Sequence, residues 1–174
     1  PGDVLTLTPN WSGPLPPSSS PVVIARRGVD LNPLDPCTDD GQLRLLSYLW
    51  PDQTDRITRT RAAIQVADAM VDQGDAAAWA EARVAHPQPG QLHMLYHTIA
   101  FQYFPNATQD RIRAAMEAAG ARATDDAPLA WFSMEADDQA RGAALTLRLW
   151  PGTLTLNMGR ADFHGRWVDW TGLN

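Results

Sequence analysis

The stretch LHMLYHT, Leu92 to Thr98, carries apolar side chains on both faces of an extended chain. A strand with that pattern belongs inside a parallel sheet, where helices cover each side. Its surroundings repeat the theme. After the short aromatic segment IAFQYF, the spacing predicts a helix from Thr108 to Arg122 with Ile112, Met116 and Ala119 on its inner face. Asn106 and Gln109 are suited to cap that helix. PLAWFSME then reads as a second two-faced strand. From Ala144 the period falls to two: ALTLRLW and TLTLNMG alternate cleanly, Pro151-Gly152 supplies a hairpin turn, and GRWVDW forms a last strand.

Upstream, GDAAAWAEARVAH reads as a connection and a helix. From Asp52, after the stop at Pro51, Ile57, Ile64 and Val71 recur along one face, with Ala63 and Ala67 beside them and Asp55 in the first turn. Asp39 and Gln42 form a capping-box pattern before a helix lined by Leu43, Leu46 and Trp50. VVIA is a β-branched run leading into RRGVDLNPLDP (Arg26 to Pro36), and PNWSGPLPPSSSP is loop by composition. VLTLT at the start alternates like a short strand. Strands and helices in alternation, then antiparallel strands, predict an α/β sheet with helices on both faces. The chain reads as a single α/β domain or the C-terminal portion of one: a lead-in over 1–21, β/α units over 22–138 and antiparallel strands over 144–170.

Composition narrows the function. With 174 residues and 44% hydrophobic content, one domain with a core is expected. The net charge of −6 comes with no basic stripe, which disfavours nucleic acid as a partner. Cys37 is the single cysteine, so an internal disulfide and a Cys-rich zinc site are excluded, and a reducing, cytoplasmic setting fits. No apolar run approaches the roughly 18 residues of a membrane helix. No GxSxG, P-loop or cysteine pair occurs, so hydrolase, NTPase and dithiol templates lack their signatures.

In open α/β sheets ligands bind beyond the carboxyl ends of strands. Three polar tips meet that rule: Gly28, Asp30, Asn32 and Asp35 after VVIA; Gly74, Asp75 and Ala76 before the third helix; His97, Thr98, Gln102 and Tyr103 after LHMLY. An acid at the end of a second strand suits ribose hydroxyls, and Asp30 is placed for that; Asp, Asn and Pro there are equally ordinary turn formers. DLNPLD is not a calcium loop, because positions six and twelve hold Asp35 and Gly41. His93 and His97 lie roughly 13 Å apart on a strand, too far to share one ion. His97 ends the strand and suits a base, a substrate contact or a hydrogen bond that positions a neighbour. His93 reads as a packed or edge histidine, and no metal site is expected.

RRGVDLNPLDP, RLLSYLWPDQTDRITRTRAAI, GDAAAW, YHTIAFQYF, RIRAAMEAAGARA, PLAWFSME and HGRWVDW together resemble the bacterial domain of unknown function 2332 family, over Pro21 to Trp170. That family is itself similar to S-adenosylmethionine-dependent methyltransferases of the Rossmann-like class. The resemblance implies a cofactor site in which Asp30, with Asn32 on the same turn, meets the ribose while Asp75 and Ala76 flank the adenine. It implies that the segment from His97 to Tyr103 faces the methyl group and substrate, with His97 and Tyr103 as catalytic candidates. The glycine-rich loop and first strand of that class are not found in this chain, so a C-terminal portion, inactive alone, is expected. Only eight residues (136–143) separate PLAWFSME from ALTLRLW, too few for the class's usual intervening helix. A sheet missing that strand is expected to self-associate through its exposed edges or to adopt another strand order. The alternatives are a non-catalytic binding or regulatory relative, and a sugar- or nucleotide-binding protein using Asp30 alone.

Overall fold

The alternating C-terminal segments form the antiparallel hairpin their period requires, and they are the central pair of a six-stranded sheet. The computed structural model describes residues 5–68, 70–139 and 141–172. Along the chain run β1 (Asn10–Ser12), β2 (Arg27–Asp30), α1 (Asp39–Ser47), α2 (Thr54–Gln65), β3 (Met70–Gln73), α3 (Ala76–Arg83), β4 (His93–Thr98), a 3-10 turn (Phe101–Tyr103), α4 (Asn106–Gly120), β5 (Leu129–Glu135), β6 (Ala143–Trp150), β7 (Leu154–Ala161) and β8 (Trp167–Trp170). This is a mixed α/β chain, and its contacts divide it into two units: Pro1–Leu7 with Pro21–Asp75, and Thr8–Ser20 with Ala76–Asn174.

In the first unit β2 and β3 pair in parallel, with Arg27 opposite Met70 and Asp30 opposite Gln73. Arg27 grips Asp72 across the pair with two hydrogen bonds of 2.7 and 2.6 Å, and Arg26 pairs with Asp68. The strand therefore lies in the motif and not in VVIA: Val22, Val23 and Ile24 are exposed and outside any strand. β-branched propensity expresses itself only where a partner strand is present, and the ladder to β3 starts at Arg27. The periodic run through Val71 is likewise split, because α2 ends at Gln65 and Val71 belongs to β3. Thr38, not Asp39, caps α1; its extended backbone lets its Oγ1 accept from the Gly41 N–H at 3.1 Å. Leu43 and Trp50 are exposed and do not form a buried face.

In the second unit six strands run in the order β1-β8-β7-β6-β5-β4. β4 and β5 are parallel, β5 to β8 are antiparallel in succession, and β1 lies parallel to β8. β1 falls in the segment whose composition predicted loop. Pairing with β8 and the contact of Trp11 with Trp170 (ring centroids 5.8 Å) organise it. Leu5 to Thr8 form no strand, and Val4 of that expected strand lies outside the described residues. Among the described residues β4 pairs with β5 alone, and Met94 and Tyr96 on its second face are exposed, so LHMLYHT is an edge strand buried on one side.

The main core lies on that buried side. Ala77, Ala80 and Val84 from the α3 segment and Ile112, Met116 and Ala119 of α4 pack on Leu129, Trp131 and Trp150, with Leu95 beside them. Both helices thus cover the same sheet face, whereas helices on both faces were expected. The opposite face carries a smaller cluster of Leu145, Met158 and Ala161, flanked by Phe132, Met134, Val168 and Trp170. At the start of α4 the backbone of Pro105 occupies the cap position, while the Gln109 amide donates to Phe104 O (3.0 Å); Asn106 is already helical.

Gly120 closes α4 against the Trp150 indole, and a β-carbon there would come within 2.3 Å of its Nε1. Trp150 is 3% exposed and has no open space to retreat into. Gly120→Ala is expected to destabilise by about 1–3 kcal/mol through overpacking, read as a lower thermal midpoint. An unchanged midpoint would show that the contact yields freely.

Candidate functional site

Two strand ends gather the polar residues singled out above, one in each unit. In the first unit Gly74 N–H donates to Asp30 O at 3.0 Å, so Asp30 and Asp75 flank the carboxyl ends of two adjacent parallel strands. Gln73 adds a bond from its amide to Leu31 O (3.1 Å). Asp30 is exposed; its Oδ1 accepts from Asn32 N–H at 2.8 Å, and Oδ2 has no hydrogen bond among the described residues. Asn32 contributes its backbone to that turn. Asp35 builds the next one, accepting from Cys37 N–H at 2.8 Å through Oδ1 and from Thr38 N–H through its carbonyl. Gly41 lets that carbonyl approach α1 closely, since a β-carbon there would lie 1.8 Å from Asp35 O. The motif is therefore a chain of side-chain-to-backbone turns that begins at the last residue of β2.

Ala76 opens α3 and packs against the core of the second unit. At the far end of that unit's parallel pair stands His97. The register places it opposite Ser133, and Glu135 lies two residues further along β5 on the same side of the sheet. Their side chains meet at 2.6 Å between His97 Nδ1 and Glu135 Oε1. Glu135 also accepts from the backbone N–H groups of Ala100 (3.1 Å), Phe101 (3.0 Å) and Gln102 (3.4 Å). Gln102 Oε1 in turn accepts from Ala136 N–H at 2.9 Å.

The electrostatics follow from this geometry. Burial opposes the charge on Glu135, but the bond from His97 and those from Ala100 and Phe101 outweigh it and hold the carboxyl below its usual range. Burial pushes the His97 imidazole below its ordinary value, with Glu135 only partly offsetting the effect. An ionised carboxylate is an acceptor only, so Nδ1 of neutral His97 carries the proton and Nε2 keeps its lone pair. Nε2 is buried and has no partner among the described residues, as is Trp131 Nε1–H on the ring 5.9 Å away. His97 also stacks on Phe101 at 4.8 Å. Chemically this is an imidazole held in one tautomer by a carboxylate, able to accept a proton at Nε2. Tyr103 is exposed, with its backbone N–H bonded to Ala100 O. His93 is partly buried, and burial and Arg83 push it below its ordinary range, as a packed histidine.

Sequence reasoning missed Glu135. The available signal was an acid ending a two-faced strand, as Asp30 ends β2, next to the strand that ends in His97. Two other clamps were missed. Arg160 forks onto Asp137 at 2.8 Å and ties down the β5–β6 connection. Asp162, 5% exposed, holds Arg166 and the β7–β8 turn, and the Arg166 guanidinium brings its carboxyl down to about 2.

Glu135→Ala leaves three backbone N–H groups and His97 without their acceptor, and an expected loss of about 2–4 kcal/mol is measurable by denaturant unfolding. Below pH 6.5 the unfolded chain binds a proton that folded His97 resists, and near pH 4.5 the same holds for Glu135. Stability therefore falls on acidification, first through the histidines and then through the carboxylate. His97→Gln should flatten the upper limb to the contribution of His93. An unaltered pH profile would remove His97 from this account.

Among the described residues no helix is long and apolar enough to cross a membrane. No curated protein and no solved structure matches the chain. Residues 1–170 do match one family model, described as "Uncharacterized protein conserved in bacteria (DUF2332)", and the chain belongs to that bacterial family.

Proposed function

We propose that the protein is a cytoplasmic S-adenosylmethionine-dependent methyltransferase whose first unit holds the nucleoside part of the cofactor. The observation that supports this reading is the parallel β2–β3 pair, which sets Asp30 and Asp75 at adjacent carboxyl ends. The residues fit the group: a ribose offers two vicinal hydroxyl donors, and Asp30 offers an exposed carboxylate with one oxygen already fixed and the other open. Asp75, with Ala76 following it, would meet the adenine. When bound, the cofactor supplies a methyl group that is already activated, so the protein's part is binding, orientation and exclusion of water. By the same resemblance His97 and Tyr103 are the catalytic candidates: within its own unit His97 can take a proton at Nε2 while Glu135 holds the one at Nδ1, and Tyr103 offers an exposed phenol.

A second reading is a relative that binds the cofactor or another nucleotide without transferring a methyl group. What favours it is that His97 Nε2, the atom that would take a proton, is buried, and the ring is stacked on Phe101 as part of the packing. The open edge of β4, with Tyr96 exposed beside it, supports self-association as part of either reading.

Calorimetric titration of the full-length protein with S-adenosylmethionine and S-adenosylhomocysteine tests the first reading. One-to-one binding is expected, weakened about tenfold to a hundredfold by Asp30→Ala, as for loss of a charged hydrogen-bond acceptor. Absence of binding, or binding indifferent to Asp30, sinks the cofactor site. Binding with no methylated product across protein and small-molecule acceptors supports the second reading.

A further inference from the structure

We propose that the second unit binds a neutral, planar aromatic small molecule in a cavity on the sheet face opposite its helices. The cavity measures about 440 Å³ and is lined by Trp11, Trp170, Phe132, Phe163, Thr98 and Ile99, above the Leu145 and Ala161 cluster. This volume falls in the range of small-molecule sites. The surface left open inside it is a small fraction of the roughly 800 Å² that each partner buries in a stable protein interface, so its size suits a small molecule and not a folded partner.

The chemistry of the wall defines the class. Four aromatic side chains favour a flat ring system that stacks on their faces or meets their edges. Among the described residues Asp162 is the one ionisable lining residue, and its oxygens are already taken by His164 N–H, Arg166 N–H and the Arg166 guanidinium. No uncompensated charge remains to recognise an ion, which makes the ligand neutral. The Thr98 hydroxyl has no partner among the described residues and can meet one polar atom of the ligand.

Ile99 gives an independent reason to regard the cavity as maintained. Its φ is +49°, a left-handed conformation that is strained for a β-branched residue. Two anchors on β5 hold the conformation. Ile99 N–H donates to Met134 O at 2.8 Å, and Glu135 holds the next two N–H groups from the other face of the sheet. The clamp thereby keeps Ile99 in the cavity wall. The inference does not rest on methyl transfer, and its test needs no cofactor.

The probes are 1-naphthol and naphthalene, titrated into the full-length protein with tryptophan emission and amide NMR shifts as readouts. Saturable one-to-one binding of both is expected, with shifts concentrated at Thr98, Ile99, Ala161 and Gly165. Thr98→Trp, at an exposed position, should fill the cavity and weaken both at least tenfold with an unchanged thermal midpoint. Thr98→Val should weaken 1-naphthol about threefold to tenfold, as for one lost hydrogen bond, and leave naphthalene unaffected. Non-saturable binding, shifts confined to other residues, or full binding by a folded Thr98→Trp variant would overturn the proposal. So would a cavity that instead takes a peptide or a second copy of the chain, with naphthol unable to compete.

Discussion

The carboxylate of Glu135 settles a problem created by the end of β4. The chain must leave the sheet, turn through Ile99 and enter α4 within a few residues, and the backbone N–H groups at the start of the 3-10 turn have no partner in a helix or a ladder. One ionised side chain from the neighbouring strand accepts three of them and holds His97 as well. Charged acceptors make the stronger hydrogen bonds, and here they act at a partly buried position where unmet donors are costly. Phe101 is thereby set into the core, stacked on His97, edge-on to Trp131 at 5.8 Å and under the Arg113 guanidinium at 5.0 Å. α4 begins five residues later against this fixed ring.

β5 transmits that order to both faces of the sheet. Its alternation sends Leu129 and Trp131 into the core beneath α3 and α4, and Phe132 and Met134 into the cluster on the other side. The helix-covered face is closed tightly enough that Gly120 must lack a side chain. Among the described residues the other face has no helix of the second unit above it and carries the aromatic ends of β1 and β8 and the β7–β8 turn. An apolar face treated so unequally leaves a concavity, and Ile99 stands in its wall because the clamp works from the opposite side.

How much of this was legible depended on whether the signal was local. Period-two alternation in β6 and β7 and the inner face of α4 (Ile112, Met116, Ala119) are local patterns, and they identified those elements correctly. The strand at Arg27–Asp30 was not legible from propensity, since VVIA is the stronger β-former; the partner at Met70–Gln73, hidden in a helix-like spacing through Val71, decides the position. β1 depends on a partner more than 150 residues away in sequence. LHMLYHT reads as a parallel strand, which it is, but its two apolar faces give no hint that it lies at an edge. His97 was legible as a strand-end histidine, whereas Glu135 needed the parallel register that places it on the same side.

Asp30 illustrates why a turn role and a ligand role need not compete. A carboxylate has two oxygens, and the turn uses Oδ1 alone. A free aspartate at a strand end must lose rotamer freedom to receive a ligand; one already locked by the Asn32 N–H has lost it on folding. That lowers the entropic cost of binding and leaves Oδ2 aimed in a fixed direction. The local chemistry that makes DLNPLD look like an ordinary turn is thus the chemistry that would preorganise an acceptor for vicinal hydroxyls. The same logic holds at His97, where the bond that positions the ring also selects the tautomer with a bare Nε2.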